Sequence, residues 1–216
     1  MDTALLIFLH GPGQSPPAWQ DVVGAMSPEQ QMVAPWLKGL KPTDHTGFDM
    51  DQAVGAIADL MEARGAAKAD LVGYSLGGLV ALRMAAKYPN KVSHLVLVST
   101  PVVPRRDILK RQRMMVKLAP AAMFNQVGKE HVLAGLDALI EADLGLDLRQ
   151  VTAPILSVTA ENDPMGQTST NVLVRNGQAL AQTVPGSDPD LLKAQPRRLA
   201  QLITDFCADF LPDDEG

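Results

Sequence analysis

A serine set between glycines is the residue of this sequence best suited to chemistry. The segment Gly73-Tyr74-Ser75-Leu76-Gly77 follows a short apolar run and precedes an apolar segment of helical length. Small residues flank a serine in this way where a strand turns sharply into a helix, because bulky neighbours would clash. A serine hydroxyl attacks carbonyl carbon only when a neighbouring base takes its proton. The alternative is that Ser75 simply caps the helix.

The elements that must position this serine follow an alternating pattern. Strand-length apolar runs are predicted at residues 5–9, 31–35, 70–73, 92–99, 154–159 and 182–184. Between them lie helical segments, one starting near Asp49 and ending near Gly65, and a last one opening at Pro196. The strongest runs are continuously apolar, as in a parallel sheet covered on both faces. We therefore predict an α/β fold with a doubly wound, mostly parallel sheet of about six strands.

Residues 101–150 break this alternation. They contain helical stretches at 108–118 and 130–142 and no convincing strand, so they form a predicted helical insertion into a core of residues 1–100 and 151–216. Chemistry in an open α/β sheet lies beyond the carboxyl ends of the strands, and an insertion that leaves such an end can cover the site. The prediction is a helical cap; the alternative is an excursion away from any site.

Taken together, these features resemble the α/β-hydrolase superfamily over nearly the whole chain. The resemblance rests on His-Gly at 10–11 after the first strand, the serine turn, the helical insertion, and Glu-Asn-Asp-Pro at 161–164 after a strand. It implies a fold without the N-terminal hairpin strands of larger members. By this resemblance Ser75 holds the nucleophile position and Asp163 the position of the orienting acid. For Asp163 the alternative is a turn carboxylate ahead of a proline.

The same resemblance implies where a negatively charged intermediate would be stabilised. The Leu76 N–H takes the position of one oxyanion donor, at the positive end of a helix. Gly11 and Tyr74 are the other residues expected at the oxyanion and binding site.

Two prolines depart from the superfamily pattern. The superfamily usually places its catalytic histidine in a loop after the last strand, and the matching position here is Pro189, which carries no base. Pro12 stands where relatives supply the second oxyanion N–H, which proline lacks. Loss of one oxyanion donor typically lowers the rate by about 100-fold to 1,000-fold, and loss of a triad member leaves only residual catalysis. A conventional triad therefore cannot be completed from the motif positions.

Other side chains can be weighed as a replacement base. His94 begins a strand, roughly 15 Å from its carboxyl end at about 3.3 Å per residue, which excludes it. His10 lies in the first turn and is interpreted as holding that turn. The base stays unassigned, with His45, His131 and Asp188 as candidates. Each has a plainer interpretation, as a surface histidine or a turn aspartate, and an ordinary carboxylate with a pKa of about 4 is a poor base for serine.

The insertion also carries a basic segment. It holds six of the chain's 19 Lys and Arg residues, opposed only by Asp107. Its basic residues are Arg105, Arg106, Lys110, Arg111, Arg113 and Lys117. Arg105, Arg106, Arg111 and Arg113 are candidates for binding an anionic carrier or a substrate with phosphate or carboxylate, because Arg binds such groups bidentately. The alternative is a solvated face, and a further alternative makes Met114, Met115 and Met123 an apolar roof over a pocket.

Composition narrows the remaining possibilities. A net charge of −5 gives no general electrostatic footprint for nucleic acid. No run approaches the roughly 18 apolar residues of a membrane span, and no targeting segment is visible, so we expect a soluble cytoplasmic protein without a membrane partner. The single Cys207 closes no intrachain disulfide. The histidines lack metal-ligand spacing, and Gly-Pro-Gly at 11–13 lacks the rest of a dinucleotide motif, so no metal or cofactor is expected.

Three functions remain open. The first is a hydrolase of an ester, thioester or lactone that uses Ser75 with an incomplete or atypical triad, acting on a small acyl substrate. The second, favoured by Pro12 and Pro189, is a catalytically inactive hydrolase fold that binds a ligand or partner. The third is a non-hydrolytic lyase or cyclase in the same pocket. The oligomeric state is left open.

Overall fold

The predicted apolar runs form one parallel sheet at the centre of the molecule. The computed structural model describes residues 4–186, 188 and 190–209, and in this part of the chain the strands are β1 (Leu5–Leu9), β2 (Met32–Val33), β3 (Ala69–Tyr74), β4 (Val92–Val98), β5 (Ile155–Ala160) and β6 (Leu180–Val184). Their order is β2-β1-β3-β4-β5-β6, and every neighbouring pair is parallel. The four central strands are buried over almost their whole length, which explains their continuous apolar sequences.

The two edge strands differ most from the predicted bounds. β2 has only two residues, where the pattern predicted 31–35, because Pro35 has no N–H with which to extend the ladder. β6 begins at Leu180 rather than at 182, and its first four residues are exposed. Exposed positions leave no hydrophobic signal, so the start of β6 was not readable from the sequence.

Helices cover both faces of this sheet. In chain order they are α1 (Gln20–Val23), α2 (Met50–Ala63), α3 (Leu76–Lys87), α4 (Arg106–Leu118), α5 (Lys129–Glu141), α6 (Gly145–Gln150), α7 (Pro164–Arg175), α8 (Leu191–Ala194) and α9 (Pro196–Asp209). Helices α2 and α3 share one buried cluster with Ile7 and Leu71, whereas α1, α8 and α9 share the other with Phe8 and Val72. Adjacent strand residues thus serve opposite faces, and the predicted doubly wound sheet is confirmed.

Two predicted helix starts are also confirmed. The Asp49 carboxylate accepts the Gln52 N–H at 2.8 Å and caps α2, a bond that satisfies a first-turn donor with no partner inside the helix. Pro196 begins α9, where its missing N–H leaves no helical bond unmade. Three short 3₁₀ helices complete the described elements, at Pro16–Trp19, Pro89–Lys91 and Ala121–Phe124.

Helices α4, α5 and α6 lie between β4 and β5, and the described residues of 101–150 contain no strand. Leu109 of α4 and Leu136 and Leu139 of α5 are buried in the cluster that also covers α3. An ion pair ties α6 to the core, since Arg83 of α3 donates to the Asp147 carboxylate at 2.6 Å. Among the described helices, none combines the length and apolar character needed to cross a bilayer.

Candidate active site

Ser75 occupies the turn between the end of β3 and the start of α3. Its backbone has φ 53° and ψ −115°, a combination that residues other than glycine rarely adopt. The Ser75 N–H donates to the Val98 carbonyl at 3.0 Å, and the Gly78 N–H donates to the Ser75 carbonyl at 3.0 Å. The Ser75 side chain makes no capping bond to α3 within the described residues. The helix-cap interpretation therefore gains no support.

Glycines bring three main-chain segments close together around this turn. A Cβ atom on Gly73 would lie 2.4 Å from the Gly77 carbonyl oxygen, and one on Gly77 would lie 2.2 Å from the Leu9 carbonyl oxygen. Real Cβ atoms do not approach backbone so closely, so any larger residue would push α3 away from β1 and β3. The glycines of the motif are thus explained by close packing of the backbone.

The Ser75 turn lines a cavity of about 290 Å³ between the carboxyl edge of the sheet and the cap. The sheet side is formed by Pro12, Gln14, Tyr74, Ser75, Ser99, Asp163 and Met165. The cap side is formed by Leu109, Gln112, Val116, Val132, Leu136 and Leu139. Cavities of about 600 and 750 Å³ lie elsewhere and do not include Ser75. We place the candidate site in the cavity of about 290 Å³. Among these three cavities, it is the one lined by residues from the ends of β1, β3, β4 and β5.

Asp163 lines the same cavity and also caps a helix. It is 9% exposed, and its carboxylate accepts the Gly166 N–H at 2.9 Å at the start of α7. Space around it is restricted, since a Cβ on Gly166 would lie 2.3 Å from the second carboxylate oxygen. Asp163 and Ser75 thus line the same cavity, and Asp163 also has the structural role of a turn carboxylate that the sequence left open.

The oxyanion side differs from the pattern that the resemblance implied. The Leu76 N–H, in the first turn of α3, has no hydrogen-bond acceptor among the described residues. The Gly11 N–H, in contrast, is already committed to the Gln14 Oε1 atom at 3.0 Å, and Pro12 has no N–H. Because the Gln14 oxygen accepts this bond, the other group of the side-chain amide is the NH₂ group. Gln14 therefore brings a hydrogen-bond donor to the wall of the cavity. The sequence motifs gave no signal for Gln14.

Tyr74 lies beside the nucleophile in an acidic setting. Burial raises the pKa of its phenol, and the nearby Asp190, Asp163 and Asp188 carboxylates raise that pKa further. The phenol therefore stays protonated near neutral pH and is available as a hydrogen-bond donor rather than as a base. A Cβ on Gly11 would lie 2.9 Å from the Tyr74 ring and 3.2 Å from the Ser75 Cβ, so this part of the predicted site is tightly packed.

None of the candidate bases lines the cavity in the described structure. The His131 Nε2 donates to the Asp44 carbonyl at 2.9 Å, which ties α5 to the loop before α2. His45 is exposed on that loop. Asp188 is exposed and accepts the Asp190 N–H at 2.9 Å. Pro189 lies outside the described residues, so its correspondence to the usual histidine position stays a prediction.

His10 holds the first turn, as its sequence position indicated. Its Nε2 accepts the Leu37 N–H at 3.2 Å, so the proton is on Nδ1, which lies 3.0 Å from the Gly11 carbonyl oxygen. Burial lowers the pKa of this imidazole. Both ring nitrogens are therefore engaged in structure.

His94 lies in β4, near the amino ends of the strands. Its side chain contacts that of Asp70, the second residue of β3. Its Nδ1 is 2.7 Å from an Asp70 carboxylate oxygen. The Cys207 thiol joins this pair, with the three potential ligand atoms within 4.8 Å of one another. Burial, together with the adjacent Asp70 carboxylate, raises the pKa of this thiol, so the thiol itself is protonated near neutral pH. Sequence spacing gave no signal for this cluster.

The four arginines predicted as an anion site are engaged in different ways. Arg105 donates two hydrogen bonds to Asp107, and Arg113 forms an ion pair with Asp137. Arg106 donates to the Ile140 carbonyl at 3.0 Å. Arg111 forms no ion pair within the described residues.

The three methionines predicted as an alternative roof are exposed, by 54% for Met114, 66% for Met115 and 71% for Met123. The roof is formed instead by Leu109, Val116 and residues of α5. Methionine type alone did not indicate which face of the cap helix turns inward.

Fold, serine turn and cap together define the class of protein. Residues 5–131 match the family model described as the alpha/beta hydrolase fold, and the chain belongs to this family.

Particular relatives differ in activity. A pig 1-acylglycerol-3-phosphate O-acyltransferase is 32% identical over 155 residues, covering 69% of this chain and 44% of its own length. A Pantoea ananatis protein named as a carbamate hydrolase is 24% identical over 198 residues, covering 75% of this chain and 72% of its own length. The crystal structure of a thermophilic esterase from Thermogutta terrifontis superposes with a TM-score of 0.80 at 20% identity, covering 96% of this chain and 90% of that one. This chain thus spans less than half the length of the pig relative.

Proposed function

We propose that the protein is a slow hydrolase of small carboxylic esters, thioesters or lactones, with Ser75 as the nucleophile. The observation that carries the proposal is the turn at Ser75, which holds this residue at φ 53° directly before the start of α3 and in the wall of a cavity. Backbone strain of this kind concentrates at functional sites. The esterase and the carbamate hydrolase among the similar proteins support hydrolysis as the reaction class.

In this proposal the Ser75 oxygen forms a bond to the substrate carbonyl carbon, and the alcohol or thiol then leaves with a proton. Water subsequently cleaves the acyl-serine ester and releases the acid. The oxyanion of each tetrahedral intermediate accepts the Leu76 N–H, at the positive end of α3. The protonated Tyr74 phenol and the Gln14 NH₂ group are further donors in the same wall.

The weak step is removal of the serine proton. Asp163 is the carboxylate that lines the cavity, and no described histidine lines it. A carboxylate accepts a serine proton poorly, so hydroxide or water must take part of this role. We expect a rate that rises with pH and that lies near the residual level of about 10³–10⁴-fold over water seen when a triad member is lost.

Cavity size indicates short substrates. A volume of about 290 Å³ lies at the lower end of the roughly 300–1,000 Å³ typical of small-molecule sites. The cap side is mainly aliphatic, so we expect a short apolar acyl group under the cap. Activity should therefore fall from nitrophenyl acetate or butyrate to longer acyl chains.

A fluorophosphonate probe tests the proposal directly. The wild-type protein should be labelled covalently, and a Ser75→Ala variant should not be, with nitrophenyl butyrate hydrolysis lost in parallel. A Ser99→Ala variant is a matched control, because Ser99 lines the same cavity at the end of a neighbouring strand. Labelling that persists in Ser75→Ala, or that is absent from the wild type between about pH 6 and pH 9, contradicts the proposal.

A second candidate is a binding protein on an inactive hydrolase fold. The specific observation in its favour is that the described cavity wall combines a proline at the oxyanion position with the absence of any imidazole. It predicts no probe labelling, together with an increase in melting temperature on adding short carboxylates or lactones. Installing a base through Pro189→His separates the two further: a large gain in esterase rate indicates an otherwise assembled site.

A further inference from the structure

An exposed apolar ridge crosses the outer face of the cap. It consists of Met114, Met115 and Leu118 on α4 and of Met123 on the 3₁₀ helix that follows. These side chains are 54%, 66%, 78% and 71% exposed, respectively. Single exposed apolar residues are ordinary, but four within ten positions are a concentration of the kind that marks an interaction surface.

Helical spacing places the three α4 residues of the ridge on one side of the helix. Met114 and Leu118 are four residues apart and Met115 and Leu118 are three apart, so their side chains are neighbours. The opposite side carries Leu109 and Val116, which line the candidate active-site cavity. Helix α4 therefore has two apolar sides, one facing the cavity and one facing away from the protein.

Basic side chains accompany the ridge. Lys110 and Arg111 lie one turn before Met114 and Met115, and Lys117 precedes Leu118. Within the described residues these three cations form no ion pair, whereas Arg105 and Arg113 are neutralised by Asp107 and Asp137. The chain as a whole carries a net charge of −5. This face is thus locally positive on an otherwise acidic protein.

We propose that the ridge docks on the surface of an anionic phospholipid bilayer, in place of the expectation from the sequence that the protein has no membrane partner. Flexible aliphatic side chains would enter the boundary between headgroups and acyl chains, and Lys110, Arg111 and Lys117 would contact lipid phosphates. Interfacial helices combine these same two features, an apolar edge flanked by Lys and Arg. The proposal concerns attachment to a surface and does not depend on the chemistry proposed for Ser75.

Two features favour a bilayer over a soluble acidic protein. The ridge side chains stand out from the surface instead of lining a groove, as their exposures show. In addition, a stable protein interface typically involves about 20–30 residues a side, far more than this ridge offers. A protruding ridge fits a deformable lipid surface without any matching concave surface.

Docking would also orient the candidate site. An α-helix with its side chains is about 10–12 Å across, so the cavity beneath α4 would lie roughly that distance from the headgroups. A substrate leaving the bilayer would meet the cap first.

Vesicle co-sedimentation of the full chain tests the proposal. The protein should bind vesicles that contain phosphatidylglycerol and remain in solution with pure phosphatidylcholine. Near an anionic surface each cation is worth about 1 kcal/mol, or about five-fold in affinity, so Lys110→Gln with Arg111→Gln should weaken binding about 25-fold. Raising the salt concentration should weaken the wild type in the same direction.

The apolar part of the proposal has its own variants. Met115→Asp with Leu118→Asp should abolish binding, whereas the control Leu180→Asp, at an exposed position of β6, should bind as the wild type does. Circular dichroism melts check that all variants are folded. Absence of wild-type binding to anionic vesicles at low salt overturns the proposal and leaves a protein partner as the occupant. Unchanged binding of Met115→Asp with Leu118→Asp overturns insertion of the ridge.

Discussion

Replacing Ser75 with glycine should stabilise the fold even though it removes the proposed nucleophile. The Ser75 ψ of −115° lies outside the left-handed helical region at about +30 to +60°, so the residue occupies backbone space that suits glycine. Relief of such strain is worth about 1–3 kcal/mol. Glycine also makes the unfolded chain more flexible, which opposes folding by roughly 0.5–1 kcal/mol. The expected net stabilisation is about 0.5–2 kcal/mol.

A comparison with Ser75→Ala isolates this effect. Both variants lack the hydroxyl, but alanine keeps the Cβ atom that makes the conformation unfavourable. For a chain of this length 1 kcal/mol corresponds to a shift of about 2–4 °C in melting temperature, so the glycine variant should melt about 1–8 °C above the alanine variant. Scanning calorimetry measures the difference, and urea midpoints at equal m-values confirm that it reflects stability.

The opposite order of melting temperatures would refute the reasoning. A glycine variant that melts at or below the alanine variant would mean that the Ser75 backbone is unstrained in solution. The turn would then not hold the serine as described, and the main support for its role as nucleophile would be lost. Loss of probe labelling in both variants would not rescue the argument, because each lacks the hydroxyl.

Three further predictions follow from individual contacts. Gly77→Ala should destabilise the fold by about 1–3 kcal/mol or more, because the added Cβ would lie 2.2 Å from the Leu9 carbonyl oxygen. The control Gly55→Ala, in α2 with no atom within 4 Å of the added Cβ, should instead stabilise the fold by about 0.5–1 kcal/mol. Urea titrations measure both changes. Asp163→Ala should lose about 0.5–2 kcal/mol with the cap of α7, while Asp163→Asn keeps the cap, so any activity lost in Asp163→Asn reports the charge. The free energy of unfolding should fall as pH drops below 6.5, because burial lowers the pKa of His10 from that value and only the unfolded chain then takes up the proton. A His10→Gln variant should lack this part of the slope, and an equal slope in both proteins would contradict it.

The sheet and the serine turn were predictable because local sequence determines them. Strands buried on both faces must be continuously apolar, and the four central strands were found near their predicted bounds. The turn at Ser75 needs small neighbours wherever it occurs, so the motif predicted its place at the end of β3. The edge strands were less predictable, since exposed residues such as Leu180 carry no constraint from the core.

The surroundings of Ser75 were less predictable because they depend on loops. Gln14 is of interest as a hydrogen-bond donor for two reasons that its sequence position does not reveal. Its side-chain oxygen accepts the Gly11 N–H, and the neighbouring Pro12 offers no N–H. The same applies to His131, whose sequence position suited the cap but whose ring bonds to the Asp44 carbonyl. The direction of a side chain in a loop or cap helix depends on tertiary packing, and the hydrophobic periodicity of the sequence does not reveal that packing.

A strained serine lowers stability whether or not a base stands beside it, so the backbone at Ser75 identifies where chemistry would occur and leaves its rate undetermined. The rate depends on the acceptor for the serine proton, and the described cavity offers only the Asp163 carboxylate, which α7 also uses as its cap. The Gly166 N–H already donates to one oxygen of this carboxylate, so its orientation is set by the start of α7. Asp163 thus fits the role of a positioning group better than that of a proton acceptor. This is why we expect slow turnover that increases with hydroxide concentration.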